Sequence, residues 1–200
     1  EQIRTVAATR FGNAGLFLER FLPEARHVEV QVFGDGLGGV IVLGDRDCSL
    51  QRRNQKVVEE CPAPNIPADV RELLHQSSKD LASSVKYQSA GTVEFLYDPH
   101  SKRPYFLEVN TRLQVEHGVT EQVYGIDLVE WMIRLTQGTL PPIGELEETT
   151  RQNGHSIQVR LYAEDPYKDF LPSPGEIRSS FSENGRVDSW LSGQNDISHW

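Results

Sequence analysis

The sequence predicts an α+β fold built on antiparallel strands, and three observations carry that prediction. Residues 27–33 (His27-Val-Glu-Val-Gln-Val-Phe33) alternate polar and apolar side chains strictly, which is the period of an extended chain. Residues 91–97 and 104–110 flank Asp98-Pro-His-Ser-Lys-Arg103, a run of turn-forming residues, and so form a hairpin. Two stretches, residues 67–86 and 127–138, carry helical spacing with recognisable start or stop signals.

Composition sets the outer limits. With 200 residues, 38% of them hydrophobic and 24% charged, the chain suits one globular domain or one and a piece of a second. Twenty Lys and Arg against 29 Asp and Glu give a net charge of −9, which argues against nucleic acid or a membrane surface as partner. There is no run of ~18 apolar residues to span a membrane and no secretory signal. Cys48 and Cys61 have no metal-ligand spacing and read as thiols of a reducing compartment, so a cytoplasmic location is expected. The first residue is Glu rather than Met, as in a fragment of a longer chain.

Taken in order, residues 1–10 are polar and compatible with the end of a helix, and residues 11–15 form a turn. Residues 16–22 are an apolar run ending at Pro23, expected to be a core strand. In residues 27–33 the valines point inward and His27, Glu29 and Gln31 outward. A turn at residues 34–36 leads to a buried strand at residues 40–43, completing a hairpin. Residues 45–56 are dense in polar groups of both signs and read as a solvated loop; Arg52, Arg53 and Lys56 within it could hold a small anion. Residues 61–67, with three prolines, are a rigid connector. Pro67 opens a helix in which Val70, Leu73, Leu74, Leu81 and Val85 follow helical spacing, with His75 a surface or packing residue. Asp127 caps a second helix with Glu130 three residues on, and Gly138 ends it; Leu128, Val129, Trp131, Met132 and Leu135 form its buried side. Residues 139–154 read as a linker. A further strand over residues 155–162 turns Ile157, Val159 and Leu161 inward, and Phe170-Leu-Pro-Ser-Pro-Gly175 is a fixed turn.

The chemistry centres on residues 106–121. Glu108, Asn110, Arg112, Gln114 and Glu116 fall on every second position, so an extended chain presents all five on one face. That pattern alone is the usual solvated strand face. The preceding strand changes its meaning. If Tyr97 faces Tyr105 across the hairpin, Glu94 faces Glu108, and carboxylates opposite each other lie about 5 Å apart at Cβ and repel. A hard divalent cation such as magnesium would justify the arrangement, with Asn110 adding a neutral oxygen.

Five strings, in order, resemble the biotin carboxylase family, a branch of the ATP-grasp enzymes. They are Arg26-His-Val-Glu-Val-Gln31, residues 46–60, Ala90-Gly-Thr-Val-Glu-Phe95, Glu108-Val-Asn-Thr-Arg-Leu-Gln-Val-Glu-His117 and Phe170-Leu-Pro-Ser-Pro-Gly175. Details at residues 52–56, 128–132 and 160–170 are most similar to the urea carboxylase branch. Acyl-CoA and pyruvate carboxylases would share the catalytic residues, and a guanidine-type acceptor also stays open. A carbamoyl-phosphate synthetase half would share Glu94, Glu108, Asn110 and Arg112 but should lack the 114–117 and 171–174 strings.

The resemblance implies residues 1–140 as the C-terminal part of an ATP-grasp domain and residues 155–200 as the start of the biotin carboxylase C-terminal domain. It implies ATP-dependent phosphorylation of bicarbonate, then carboxylation of biotin. Glu94, Glu108 and Asn110 would hold magnesium or manganese. Arg112, Lys56, Gln114 and the Val115 amide would bind bicarbonate, Glu116 would be the general base, and Arg160 would stabilise the biotin ureido oxyanion. Glu19, Leu22, His27, Gln51, Asn54 and Leu96 would contact ATP. Three positions depart from the common pattern: Arg20 for lysine, Asn54 for histidine and Gly118 for proline. The family's N-terminal domain and glycine-rich lid do not occur in these residues, so the isolated segment is expected to be inactive. Met132 is followed by Ile, not Lys, so biotin would arrive on another domain or protein. A biotinylated carrier domain and a carboxyltransferase domain are the implied partners, and a homodimer is compatible.

Overall fold

The computed structural model describes residues 2–176, 185–189 and 196–197. The chain divides into two compact units, residues 1–158 and 159–200. In the first, the element order is α1 (Gln2–Phe11), β1 (Arg26–Asp35), β2 (Val40–Arg52), β3 (Gln55–Cys61), α2 (Ala68–Ser84), β4 (Gln88–Asp98), β5 (Arg103–Asn110), α3 (His117–Tyr124), α4 (Leu128–Gln137), α5 (Ile143–Thr149) and β6 (Ser156–Val159). The strands form one sheet in the order β5-β4-β1-β2-β3-β6, and the registered pairs among β1 to β5 are all antiparallel. The fold is α+β, as the sequence predicts.

Both faces of this sheet are covered. Val28, Val30 and Val32 of β1, with Val93, Phe95 and Tyr97 of β4, pack against Val70, Leu74 and Ala82 of α2. On the opposite face Phe33, Ile41, Leu43 and Ala90 pack against Leu128 and Trp131 of α4 and Ile143 and Leu146 of α5, with Phe33 and Trp131 edge to face at 5.5 Å. The expectation that Glu29 and Gln31 point to solvent is therefore wrong, since they are 0% and 1% exposed. Alternation of valines with polar residues reports two different buried layers here, not core and water.

A β-bulge sets up the second layer. Val30 pairs with Asp45 and Val32 with Val42, so two steps on β1 match three on β2. The extra residue falls at Leu43 and Gly44, and Gly44 has φ +70°. Without that extra residue Arg46 would face away from Leu43, because strand side chains alternate. With it, Arg46 lies opposite Glu29 on the face covered by α4 and α5.

Other departures have local causes. Residues 45–56 are not a solvated loop: β2 runs through them to Arg52 and returns as β3, with Asp45 and Arg46 buried. Asp45 and Arg46 find their partners inside the protein, which composition cannot reveal, while Arg53, Asn54 and Gln55 at the β2–β3 turn stay exposed. Residues 16–22 form no strand, and Phe17, Leu18 and Phe21 are more than 80% exposed; no ladder partner or apolar layer receives them. The run 111–116 leaves the sheet after Asn110, where pairing with β4 ends, and enters α3, which the sequence reading missed. Residues 139–154 contain α5 rather than a plain linker. Leu73, Leu81 and Val85 of the α2 region, Val129 of α4, and Ile157, Val159 and Leu161 are exposed rather than inward. The caps of α4 are as expected: Asp127 accepts from the Glu130 amide at 2.8 Å and Gly138 is left-handed. Cys48 and Cys61 are buried free thiols.

The second unit is described in short pieces. β7 (Glu164–Asp165) pairs with β8 (Leu171–Pro172) around a 3-10 turn at Pro166–Lys168, and β9 (Gly175–Glu176) pairs with β10 (Asp196–Ile197).

Two glycine replacements are expected to move stability in opposite directions. At Gly44 a Cβ would lie 2.6 Å from the Tyr124 hydroxyl at a left-handed φ. Gly44→Ala should destabilise by ~1–3 kcal/mol. Gly144 in α5 has open space around it, and Gly144→Ala should stabilise by about 0.4–1 kcal/mol. Denaturant unfolding of both variants checks the pair; equal midpoints would discount the bulge argument.

Candidate active site

The face of β1 that meets α4 and α5 changes character along its length. Phe33 sits in the apolar layer, followed toward the N-terminus by Gln31, Glu29 and His27. Around Glu29 the structure assembles an ion cluster from five elements or their connections. Lys56 of β3 donates to Glu29 Oε2 at 2.5 Å, Glu116 Oε1 at 2.5 Å and Glu94 Oε1 at 2.9 Å. One ammonium has three donors, and here each meets a different carboxylate. Burial of Lys56 opposes its charge, but the carboxylates of Glu29 and Glu116 outweigh it, so the lysine is held firmly protonated.

Glu29 is shared. Its Oε1 accepts from Arg46 Nε at 2.6 Å, and Arg46 also donates to Gln31 Oε1 at 2.7 Å, Thr120 Oγ1 at 2.8 Å and Thr92 Oγ1 at 3.2 Å. Arg46 is fully buried. Glu94 is equally encircled: its Oε1 also accepts from Asn110 and Gln114 at 2.9 Å each, and His27 Nε2 lies 2.8 Å from its Oε2. Burial of Glu94 works against ionisation, and the bonds from His27, Gln114 and Lys56 overcome it, holding the carboxyl well below its ordinary range. Glu116 is lowered in the same way, chiefly by Lys56 against burial.

Gln51 fixes the histidine. Its amide nitrogen donates to the Cys48 carbonyl at 2.8 Å and lies 2.8 Å from His27 Nδ1. That carbonyl can only accept, so the amide orientation is settled, Nδ1 accepts, and Nε2–H donates to Glu94.

The hairpin register is partly as expected. Glu94 and Glu108 are opposite each other, but Tyr97 pairs with Pro104, not Tyr105, because a bulge lies between Glu94 and Phe95. Asn110 Nδ2 bridges Glu94 and Glu108 at 2.9 and 3.3 Å. Two facing carboxylates, one buried and one exposed, plus an amide that also carries an oxygen, fit a hard cation such as magnesium. A second grouping, Glu29, Cys48 and Glu116, brings its ligand atoms within 4.8 Å of one another, with Lys56 already among them.

A family model, carbamoyl-phosphate synthase L chain, ATP binding domain, matches residues 1–142. The chain belongs to this family. It is 53% identical over 199 residues to urea amidolyase of Saccharomyces cerevisiae, covering 99% of this chain and 11% of that protein. Kluyveromyces lactis urea carboxylase superposes with a TM-score of 0.83 at 51% identity, over 90% of this chain and 16% of that one. The biotin carboxylase domain of Hydrogenobacter thermophilus 2-oxoglutarate carboxylase, solved with MgADP, ADP and bicarbonate, gives 0.85 at 41% identity, over 98% and 44%. The chain thus spans a minor part of each of these relatives. Its architecture is that of the ATP-grasp biotin carboxylases.

Within this ATP-binding domain the expected site residues divide clearly. Lys56, Glu94, Glu116, Gln114, Asn110, Glu108, His27 and Gln51 form one bonded group. Leu96 lies across from His27 on β4. Arg112 does not share a strand face with them; it is exposed and donates to the Leu113 carbonyl at 3.3 Å. Val115 is exposed, and its carbonyl accepts from Gln158 at 3.3 Å. Asn54 is an exposed left-handed residue in the β2–β3 turn, Glu19 is exposed, and Leu22 is half-buried in the irregular segment before β1. Arg160 follows β6 in the second unit. Glu29, Arg46, Gln31, Thr92 and Thr120 were not expected. The strict alternation of residues 27–31 was the available signal, read for the wrong environment.

The cluster carries a pH signature. Glu94 and Glu116 have folded pKa values below the unfolded ~4.3, so their stabilisation is complete above that value and is lost as pH falls below it. Glu94→Gln should therefore lose stability less steeply than wild type between pH 5 and pH 3, about one to two units around that pKa. Melting temperatures across that range decide; parallel slopes would contradict the assignment.

Proposed function

We propose that this segment is part of a biotin carboxylase that uses ATP and bicarbonate to carboxylate biotin, within a urea carboxylase. Residues 1–140 are the C-terminal part of its ATP-grasp domain and residues 155–200 the start of its C-terminal domain. The observation that carries the reading is the Lys56 ammonium held among Glu29, Glu94 and Glu116, beside the Gln114 amide. Relatives with MgADP and bicarbonate bound share this fold. The 51% and 53% identities to urea carboxylase and urea amidolyase favour urea as the final acceptor.

Roles follow from chemistry. Lys56 is a point charge on a flexible stem, so an incoming bicarbonate that displaces one carboxylate can take one of its three donors, with Gln114 and the Val115 amide completing the contact. Arg112 stands exposed on its loop, and its planar fork matches a planar oxyanion. Glu116 is the general base. Its bond to Lys56 keeps it ionised but lowers its basicity, so transfer of Lys56 to the substrate both binds the anion and sharpens the base. Glu94, Glu108 and Asn110 are the residues that would hold magnesium, whose charge would neutralise phosphate oxygens. His27, Gln51, Asn54, Leu96, Glu19 and Leu22 serve the nucleotide. Arg160 stabilises the ureido oxygen of biotin carried on a separate domain. A carboxyltransferase domain is the onward partner, and the setting is cytoplasmic. The 200 residues alone are inactive, because phosphoryl transfer depends on a fully preorganised phosphate cradle.

The test separates the half-reactions in the intact parent enzyme. Arg160→Ala should lower carboxybiotin formation by roughly 100- to 1000-fold, as for loss of an oxyanion donor, while bicarbonate-dependent ATP hydrolysis falls much less. Glu116→Gln should depress both together. Equal loss of both activities in Arg160→Ala would remove biotin from its assignment, and bicarbonate-independent turnover in wild type would sink the reading as a whole.

A further inference from the structure

Arg46 has no exposed surface, so it touches neither substrate nor solvent, yet it is the other cation of the cluster. Its guanidinium reaches four side chains on three elements: Glu29 and Gln31 of β1, Thr92 of β4 and Thr120 of α3. Burial alone would disfavour its charge, and Glu29 reverses that. Glu29 in turn divides its two oxygens, one to Arg46 and one to Lys56.

We propose that Arg46 is a positioning residue for the anion site: it fixes the Glu29 carboxylate and locks α3 to the sheet, and so centres Lys56 between Glu29, Glu94 and Glu116. This rests on the biotin carboxylase reading above. Two consequences follow from the bonding pattern. First, Glu29 cannot rotate to take Lys56 wholly to itself, because its Oε1 is held by a rigid planar fork. Lys56 is then shared among three acceptors and remains transferable to a bicarbonate. Second, Thr120 lies four residues after Glu116, at the start of the helix that the site loop feeds into. Its bond to Arg46 ties the height of Glu116 above the sheet to the same guanidinium that holds Glu29. The geometry links both partners of Lys56 through a single buried side chain.

A residue that served only to hold the core together would behave differently. Lysine at this position keeps the charge and can still reach Glu29, but a compact ammonium cannot span Glu29, Gln31, Thr92 and Thr120 at once. If charge were all that mattered, Arg46→Lys would be silent. If positioning matters, the bicarbonate site suffers and the nucleotide site is spared.

The experiment uses the intact parent enzyme and three readouts: KM for bicarbonate, KM for ATP, and melting temperature. Arg46→Lys should raise the bicarbonate KM by roughly 10- to 100-fold, the scale of a lost charge-assisted hydrogen bond. The ATP KM should stay within about twofold, well inside that window. Thr120→Val provides a second, milder probe that removes only the α3 tether; it should raise the bicarbonate KM by ~3- to 10-fold in the same direction. A wild-type bicarbonate KM in a folded Arg46→Lys overturns the proposal. If Arg46→Lys does not fold, Thr120→Val decides: an unchanged bicarbonate KM overturns it, and a selective rise supports it. Equal rises in both KM values for either variant would mark general disruption and also overturn it. Failure of the parent reading is distinguishable, because it would show in wild type as turnover that does not respond to bicarbonate at all.

Discussion

The molecule depends on solving one electrostatic problem: three carboxylates, Glu29, Glu94 and Glu116, are buried within reach of a single lysine. Uncompensated, each would cost several kcal/mol of desolvation and would neutralise instead. Lys56 and Arg46 supply the opposing charge, and Asn110, Gln114 and His27 occupy lone pairs that the cations leave over. Such networks rarely add net stability compared with a well-packed apolar core. Apolar packing is indeed present nearby, in the layer of Phe33, Leu43, Leu128 and Trp131 on the same face. On this face the sheet therefore carries apolar packing at one end and the charged cluster at the other, and the α2 layer lies on the opposite face behind the cluster.

Backbone irregularities make that division possible. A regular β2 would point Arg46 toward α2, into the apolar layer of Val28, Val30 and Leu74. The bulge at Leu43 and Gly44 re-aims it, and the left-handed glycine makes the extra residue cheap. The β4–β5 pair has its own bulge between Glu94 and Phe95. It keeps Glu94 opposite Glu108 while shifting the rest of the hairpin by one residue. Both irregularities stand beside the charged cluster, where a strand must change what it presents to each side.

Element type was legible in the sequence wherever local chemistry alone decides it. The Asp127 and Gly138 caps, the Asp98 turn and the valine stripe of β1 all follow from short-range rules. One cause accounts for the departures around the charged cluster: polar residues in an alternating strand do not always face water. Residues 45–56 looked like a loop because nothing local says that Arg46 will find Glu29, seventeen positions earlier, or Thr120, seventy-four later. The same cause hid Glu29 and Gln31. Residues 16–22 failed in the opposite sense, since an apolar run becomes a core strand only if a ladder and a layer are there to receive it. Glu94 does face Glu108, although the Tyr97–Tyr105 register from which that pairing follows is off by one residue; the bulge after Glu94 absorbs the difference, and no local signal announces it.

Charge balance within the cluster also constrains how an anion could bind. Glu29, Glu94 and Glu116 contribute three negative charges, and Arg46 and Lys56 two positive ones, leaving one net negative charge beside a histidine whose bonding fits the neutral tautomer. Lys56 is already saturated with carboxylates, so on its own it is a poor attractor for bicarbonate. Additional positive charge must arrive with the ligands or from outside the cluster. A magnesium ion at Glu94, Glu108 and Asn110 would satisfy Glu94 and release its claim on Lys56. Arg112, exposed on the loop between β5 and α3, is the nearest cation in sequence to Gln114 and Glu116 that the cluster has not engaged. On the function proposed above, magnesium and bicarbonate binding would be coupled through the number of carboxylates that Lys56 must serve. Arg46, sealed in the interior, keeps that number from collapsing to one.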